Sequence, residues 1–191
     1  MKKIIFVVLT IISVQIKAQS YDINYTEPEP KFYIGLQSGL ESFAGLIGIT
    51  ADYRITGNFF IHAGAGLGSW GTKISGGIRN EKKSEKSFCY GIYLSRASGF
   101  SNFITQLETT TGTKDVTLDL YSGMTLNPTI GYKWVMRKRH RFFLEGGYAV
   151  PLQDSPWKVT DGSELTSISK QMLKILSPGG LSLGMGIQFA L

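Results

Sequence analysis

Leu181-Ser182-Leu183-Gly184-Met185-Gly186-Ile187-Gln188-Phe189-Ala190-Leu191 alternates without a break. Every odd position is large and apolar, and every even position before the end is small or polar. Successive side chains of a strand point to opposite faces, so the segment is a strand with one greasy face and one Gly/Ser/Gln face. Its length suits a tilted strand crossing a bilayer core, about nine to eleven residues. No loop follows that could fold over the greasy face. Lipid is the expected cover.

The other end of the chain supports that location. Met1-Lys2-Lys3 is basic, Ile4 to Ile12 is almost unbroken apolar sequence, and Ser13-Val14-Gln15-Ile16-Lys17-Ala18-Gln19 follows. This is the layout of an export signal, and it is too short for a membrane-spanning helix. Cleavage is expected between Ala18 and Gln19. Residues 1–18 are then the signal, 19–30 a short N-terminal segment and 31–191 a single domain. Removal takes Lys2, Lys3 and Lys17 and no acid, so basic residues fall from 20 to 17 against 14 acids. The net charge of +6 becomes +3, and nothing clusters it on one face as nucleic-acid binding would need. Cys89 is the only cysteine, excludes an internal disulfide, and reads as a space-filler in a strand.

With 23 glycines, 12% aromatic residues and only 18% charged ones, the chain is neither disordered nor a water-soluble helical protein. Alternating segments recur along it. Phe32, Ile34 and Leu36 share a face. Ile47, Ile49, Ala51, Tyr53 and Ile55 oppose Gly48, Thr50, Asp52 and Arg54. After a turn at Thr56-Gly57-Asn58, Phe59, Ile61, Ala63, Ala65 and Leu67 oppose His62, Gly64, Gly66 and Gly68. Similar runs cover Phe88–Leu94, Thr129–Trp134 and Phe142–Val150. Together with the C-terminal strand these make seven. Residues 95–125 are the least legible, and Phe103-Ile104-Thr105-Gln106-Leu107 is the candidate eighth strand.

An even count is expected of an up-and-down barrel. Six outward residues nearest one end are then Phe32, Tyr53, Phe59, Trp134, Phe142 and Phe189, all aromatic. Rings at one level are the signature of a headgroup boundary. Pro128 and Pro151 are expected at the opposite ends of their strands, where a missing N–H does least harm. The fold class is therefore a closed antiparallel up-and-down transmembrane β-barrel of eight strands.

On these residues the chain resembles the small outer-membrane β-barrel family, the eight-stranded type that includes the barrel of outer-membrane protein A and outer-membrane protein X. The resemblance covers nearly all of residues 19–191. Gly186, Phe189 and Leu191 match the spacing of the C-terminal signal that the family presents to its barrel assembly machinery, although an aromatic residue usually stands where Leu191 is. The resemblance implies a monomer in the Gram-negative outer membrane, surrounded by lipid and lipopolysaccharide.

No catalytic constellation is legible. His62 faces glycines inside and reads as a satisfied lumen histidine, and His140 lies in the basic Arg137-Lys138-Arg139-His140 turn. No metal-ligand cluster is present, and Gly64-Ala65-Gly66-Leu67-Gly68 has no helix after it to make a phosphate loop. Those glycines should make room for inward neighbours such as Tyr33, Phe60 and Tyr93. Arg79 to Lys86 reads as a long outer loop of mixed charge, solvated or with its lysines meeting lipopolysaccharide phosphates. Arg137, Lys138, Arg139 and Arg141 mark a turn at the opposite end, near anionic headgroups. A loop helix is expected over 164–176, capped by Ser163 and ended by Pro178-Gly179, with Leu165, Ile168, Met172 and Ile175 at helical spacing.

Asp52, Arg54, Lys133 and Glu145 point inward by the same parity. Charges in a filled interior must be paired, so Glu145 is expected to pair with Arg54, Lys133 or both. No enzyme and no cofactor are expected. The functional expectation is a non-enzymatic outer-membrane barrel serving envelope integrity or adhesion-type loop interactions. The alternative is a small porin-like channel, which an eight-stranded interior leaves little room for.

Overall fold

A computed structural model describes residues 30–136, 139–153 and 156–191. The expected signal, its Ala18–Gln19 cleavage site and residues 19–29 lie outside the described residues. The elements are β1 (Phe32–Leu40), β2 (Ile47–Thr56), β3 (Phe59–Gly68), β4 (Gly71–Glu81), β5 (Lys86–Ala97), β6 (Phe100–Thr109), β7 (Gly112–Leu120), β8 (Gly123–Met136), β9 (His140–Pro151), β10 (Trp157–Val159), α1 (Ser167–Leu176) and β11 (Gly180–Ala190).

Eight strands close an antiparallel barrel in the order β1-β2-β3-β4-β5-β8-β9-β11, with β11 pairing back to β1. The alternation that reads β11 from sequence holds along its length. Leu181, Leu183, Met185 and Phe189 are exposed, whereas Ser182, Gly184, Gly186 and Gln188 are buried. The outer wall is apolar all round. Ile34, Leu36, Ile49, Ile61, Leu67, Ile74, Ile78, Ile92, Leu94, Ile130 and Leu144 all stand exposed on it. Burying such a surface is worth about 25 cal/mol per Å², so water is the wrong solvent for it.

Connections of two to four residues follow β2, β4 and β8 at one end, here the turn end, while the long connections gather at the other, the loop end. The expected ring residues lie near the turn end. Phe32 sits opposite Tyr53, and Trp134 opposite Phe142 with ring centroids 5.6 Å apart. Phe88 and Tyr132 extend the cluster, the latter 4.6 Å from Trp134. In the β2–β3 turn Gly57 takes φ +48°, a conformation that costs a side chain energy.

The eighth barrel strand is β4, not Phe103–Leu107. Only Ile74 and Ile78 are large and apolar on the outer face of β4, which dilutes its alternation. Residues 103–107 are a strand, β6, but they belong to a separate sheet of order β10-β7-β6 at the loop end. The stretch from Arg79 to Lys86 is consequently no outer loop. Arg79 and Glu81 finish β4 inside the barrel, and residues 82–85 form a short connection at the turn end. Pro128 lies within β8 instead of at its end. The β8–β9 pairing skips Asn127 and Pro128 and resumes without a register shift, so the missing N–H is accommodated by a local gap. Pro151 does end β9.

The loop-end sheet has its own small core. Leu107, Val116, Leu118 and Leu120 pack with Leu165 and Leu173 of the last connection, over Trp70 and Ala97 on the barrel rim. Trp70 Nε1 donates to the Tyr121 carbonyl at 3.0 Å, tying rim to sheet. The helix starts later than expected. Thr166, not Ser163, is its N-cap and accepts from Ser169 N, because residues 163–165 continue toward the sheet, with Leu165 bridged to Thr109.

Candidate functional site: the filled lumen

The β1–β2 connection folds into the barrel instead of rising above it. Phe43 is buried against the His62 ring at 3.9 Å and the Tyr93 ring at 4.5 Å. Ser75 Oγ donates to the Phe43 carbonyl at 2.6 Å, and Ser182 Oγ to the Glu41 carbonyl at 3.0 Å. At its outer edge Lys73 Nζ meets Glu41 Oε2 at 3.0 Å. Gly64 and Gly66 of β3 are explained by this plug. A Cβ on Gly64 would stand 2.5 Å from Phe43 Cε1, and one on Gly66 would run into the Ala44 carbonyl. The expectation that they accommodate Tyr33, Phe60 and Tyr93 is corrected: Gly77 and Gly91 are the positions that make room for Tyr93.

Below the plug lies a charged cluster. Asp52 binds both His62 Nδ1 and Arg79 Nη2, and Arg79 Nε reaches Glu81 Oε1 at 2.7 Å. Glu81 also takes Arg141 Nη1 at 2.6 Å and Lys133 Nζ at 3.1 Å. Arg79 Nη2 further donates to Gln188 Oε1 at 3.2 Å. All these side chains are buried, and five barrel strands contribute them: β2, β3, β4, β8 and β9, with Gln188 from β11. Charges in such surroundings persist only when each has partners that replace water.

Rings floor the cluster. The Arg141 guanidinium carbon stands 3.2 Å from the Tyr33 ring centroid and 4.6 Å from that of Phe60. Arg79 lies over Phe143 at 5.3 Å. Flat, weakly hydrated guanidinium groups suit this stacking better than ammonium groups do.

The four charged residues singled out from parity are distributed as follows. Asp52 and Lys133 belong to the cluster. Arg54 is half-buried near the turn end, its guanidinium 4.9 Å from the Phe60 ring centroid. Glu145 points inward but accepts from Gln37 Nε2 at 2.7 Å, while Lys133 is held by Glu81. Of the two partners expected for Glu145, Arg54 and Lys133, the lysine is thus held elsewhere, because β4 brings in the Glu81 carboxylate.

Arg79, Glu81, Arg141, Gln37 and Gln188 were invisible to it as site residues. In sequence Arg141 reads as part of the basic turn. Its parity with Phe143 and Glu145 on β9 carried the signal. Of the positions expected to form an assembly signal, Gly186 packs under Phe143, while Phe189 and Leu191 are exposed on the outside. Fully buried and packed against Phe43 and Tyr93, His62 offers no face to a substrate. Among the described residues no group of His, Cys, Asp and Glu has the arrangement to hold a metal ion.

A closed eight-stranded antiparallel up-and-down barrel with an apolar exterior and a polar interior is the architecture of outer-membrane barrels. Neither a protein-family model nor a curated protein matches the sequence. Among solved structures, the fold is similar to the N-terminal β-barrel domain of OprF from Pseudomonas aeruginosa, at 11% identity and a TM-score of 0.50, covering 86% of this chain and all of that one. CarO2 and CarO from Acinetobacter baumannii are also similar, at 11% and 10% identity and TM-scores of 0.39 and 0.42. Those matches cover 87% and 85% of this chain, and 100% and 98% of theirs. At such identity the likeness to the OprF domain concerns the fold.

Proposed function

We propose that the protein is an integral outer-membrane barrel that conducts nothing through its lumen and acts through its loop-end assembly, in envelope integrity or adhesion-type contacts. The observation that carries this reading is the lumen itself. The inserted Phe43 connection and the cluster around Asp52 and Glu81 fill it from two levels, and each is tied to several strands. An eight-stranded barrel has room for its own side chains and little else. A porin-like role would need that packing undone.

The partners proposed are accordingly lipid and, at the loop end, lipopolysaccharide. Arg96, Lys158 and Lys170 are exposed there, whereas the Arg79–Lys86 stretch faces the opposite end. Recognition by the barrel assembly machinery through Gly186, Phe189 and Leu191 remains part of the proposal. The activity is non-enzymatic, in keeping with a histidine closed off from solvent.

Cell fractionation with gel electrophoresis of heated and unheated samples tests the reading. The expected result is recovery in the outer-membrane fraction with mobility that changes on heating, as a closed barrel unfolds. Recovery in the soluble periplasmic fraction would contradict it.

A further inference from the structure

Helix α1 rests on the loop-end sheet through Ser169 and Leu173, its buried residues, and leaves a second apolar stripe uncovered. Ile168 is 62% exposed, Met172 51%, Ile175 78% and Leu176 52%. At 3.6 residues per turn these four fall within an arc of roughly 100°, and Lys170 and Lys174 lie on the opposite side of the helix. We infer that this stripe is seated in the surface of the lipid bilayer, so that α1 is an interfacial helix anchoring the loop-end assembly to the membrane rim. The inference rests on the membrane reading above.

Three observations favour lipid as the occupant. The stripe lies within reach of the apolar wall: Leu176 is five residues from Leu181, the first outward residue of β11, a span of at most about 18 Å. Its arrangement, apolar side chains on one side and exposed lysines on the other, is that of helices lying in the headgroup layer, where lysines meet phosphates. Its size argues against a protein partner. Four side chains present far less than the roughly 800 Å² per partner of a standard protein interface, yet suffice for shallow insertion.

The test places a polarity-sensitive fluorophore on single cysteines introduced as Ile175→Cys, Lys170→Cys and Met185→Cys in a Cys89→Ala background. The protein is reconstituted in vesicles of phosphatidylcholine and phosphatidylglycerol, with either nitroxide-bearing lipid or aqueous iodide as quencher. The expected result is that nitroxide lipid removes more than half of the emission at Ile175→Cys and at Met185→Cys, whereas iodide quenches chiefly Lys170→Cys. Iodide quenching of Ile175→Cys equal to that of Lys170→Cys, with Met185→Cys still quenched by lipid, would overturn the helix assignment and leave the barrel reading standing. Shielding of Ile175→Cys from both quenchers would also overturn it, since protein would then cover the stripe. Loss of lipid quenching at Met185→Cys would remove the membrane reading and the helix assignment together.

Discussion

Asp52 shows how one carboxylate holds a barrel interior together. It serves His62 from β3 and Arg79 from β4, so removing its charge leaves a buried guanidinium with one of its two carboxylate partners. Breaking a buried pair from one side typically costs about 3 to 5 kcal/mol. Asp52→Asn is therefore expected to lower the urea-unfolding stability in lipid vesicles by that order. Glu145→Gln keeps an acceptor for Gln37 Nε2 and should cost only about 1 kcal/mol, the net worth of an ordinary hydrogen bond. Equal losses would mean that the charges are solvated. The Asp52–His62 contact was partly legible in sequence. The two residues lie opposite each other across the Gly57-Asn58 turn, so fixing that hairpin's register would have paired them. The cluster around Glu81 is not legible there, because its members come from strands distant in sequence and β4 shows too little alternation to read as a strand.

At the scale of the element, periodicity reads best where both faces are uniform. Seven of the eight barrel strands alternate large apolar with small or polar residues and can be placed with the correct face outward. β4 escaped because Thr72, Gly76 and Asn80 interrupt its outer face. A charge on a lipid-facing mid-wall position costs roughly 2 to 4 kcal/mol for Arg. Met185→Arg on β11 and Ile78→Arg on β4 should both lose that much, measured as unfolding free energy in vesicles, while Gly68→Ser on the inner face is tolerated. Parity alone would make Gly184→Ser equally harmless, but its Cβ would stand 2.9 Å from Gln37 Nε2, so the lumen there is already full. An unchanged Ile78→Arg would remove β4 from the wall.

The loop-end sheet depends on smaller devices. The Asp161 carboxylate accepts from Ser163 N at 2.9 Å and Thr117 N at 3.3 Å, and the Ser163 bond chiefly holds its pKa below the usual carboxylate value. A carboxyl group with a depressed folded pKa adds stability above its unfolded pKa, near 3.9, and loses it as pH falls through the folded value. Amide protection of Ser163 and Thr117, corrected for intrinsic exchange, should therefore fall on acidification below about pH 4, and do so at neutral pH in Asp161→Asn. Protection indifferent to both changes would show that the carboxylate does not hold the loop.

For the whole molecule, alternation, ring placement and an even strand count made the barrel legible, because lipid imposes one simple rule on every outward position. The interior follows no such rule. Which connection enters the lumen, and which charges meet, depends on strand register and on steric room. Phe43 is an ordinary loop phenylalanine in sequence, and only its approach to Gly64 and His62 reveals it as a plug. The claim that this packing closes the barrel is tested most directly by conductance across a planar lipid bilayer after reconstitution of the full protein. No sustained current steps of porin size are expected from the parent protein over a wide voltage range. Stable, reproducible open-channel steps from it would contradict the closed lumen.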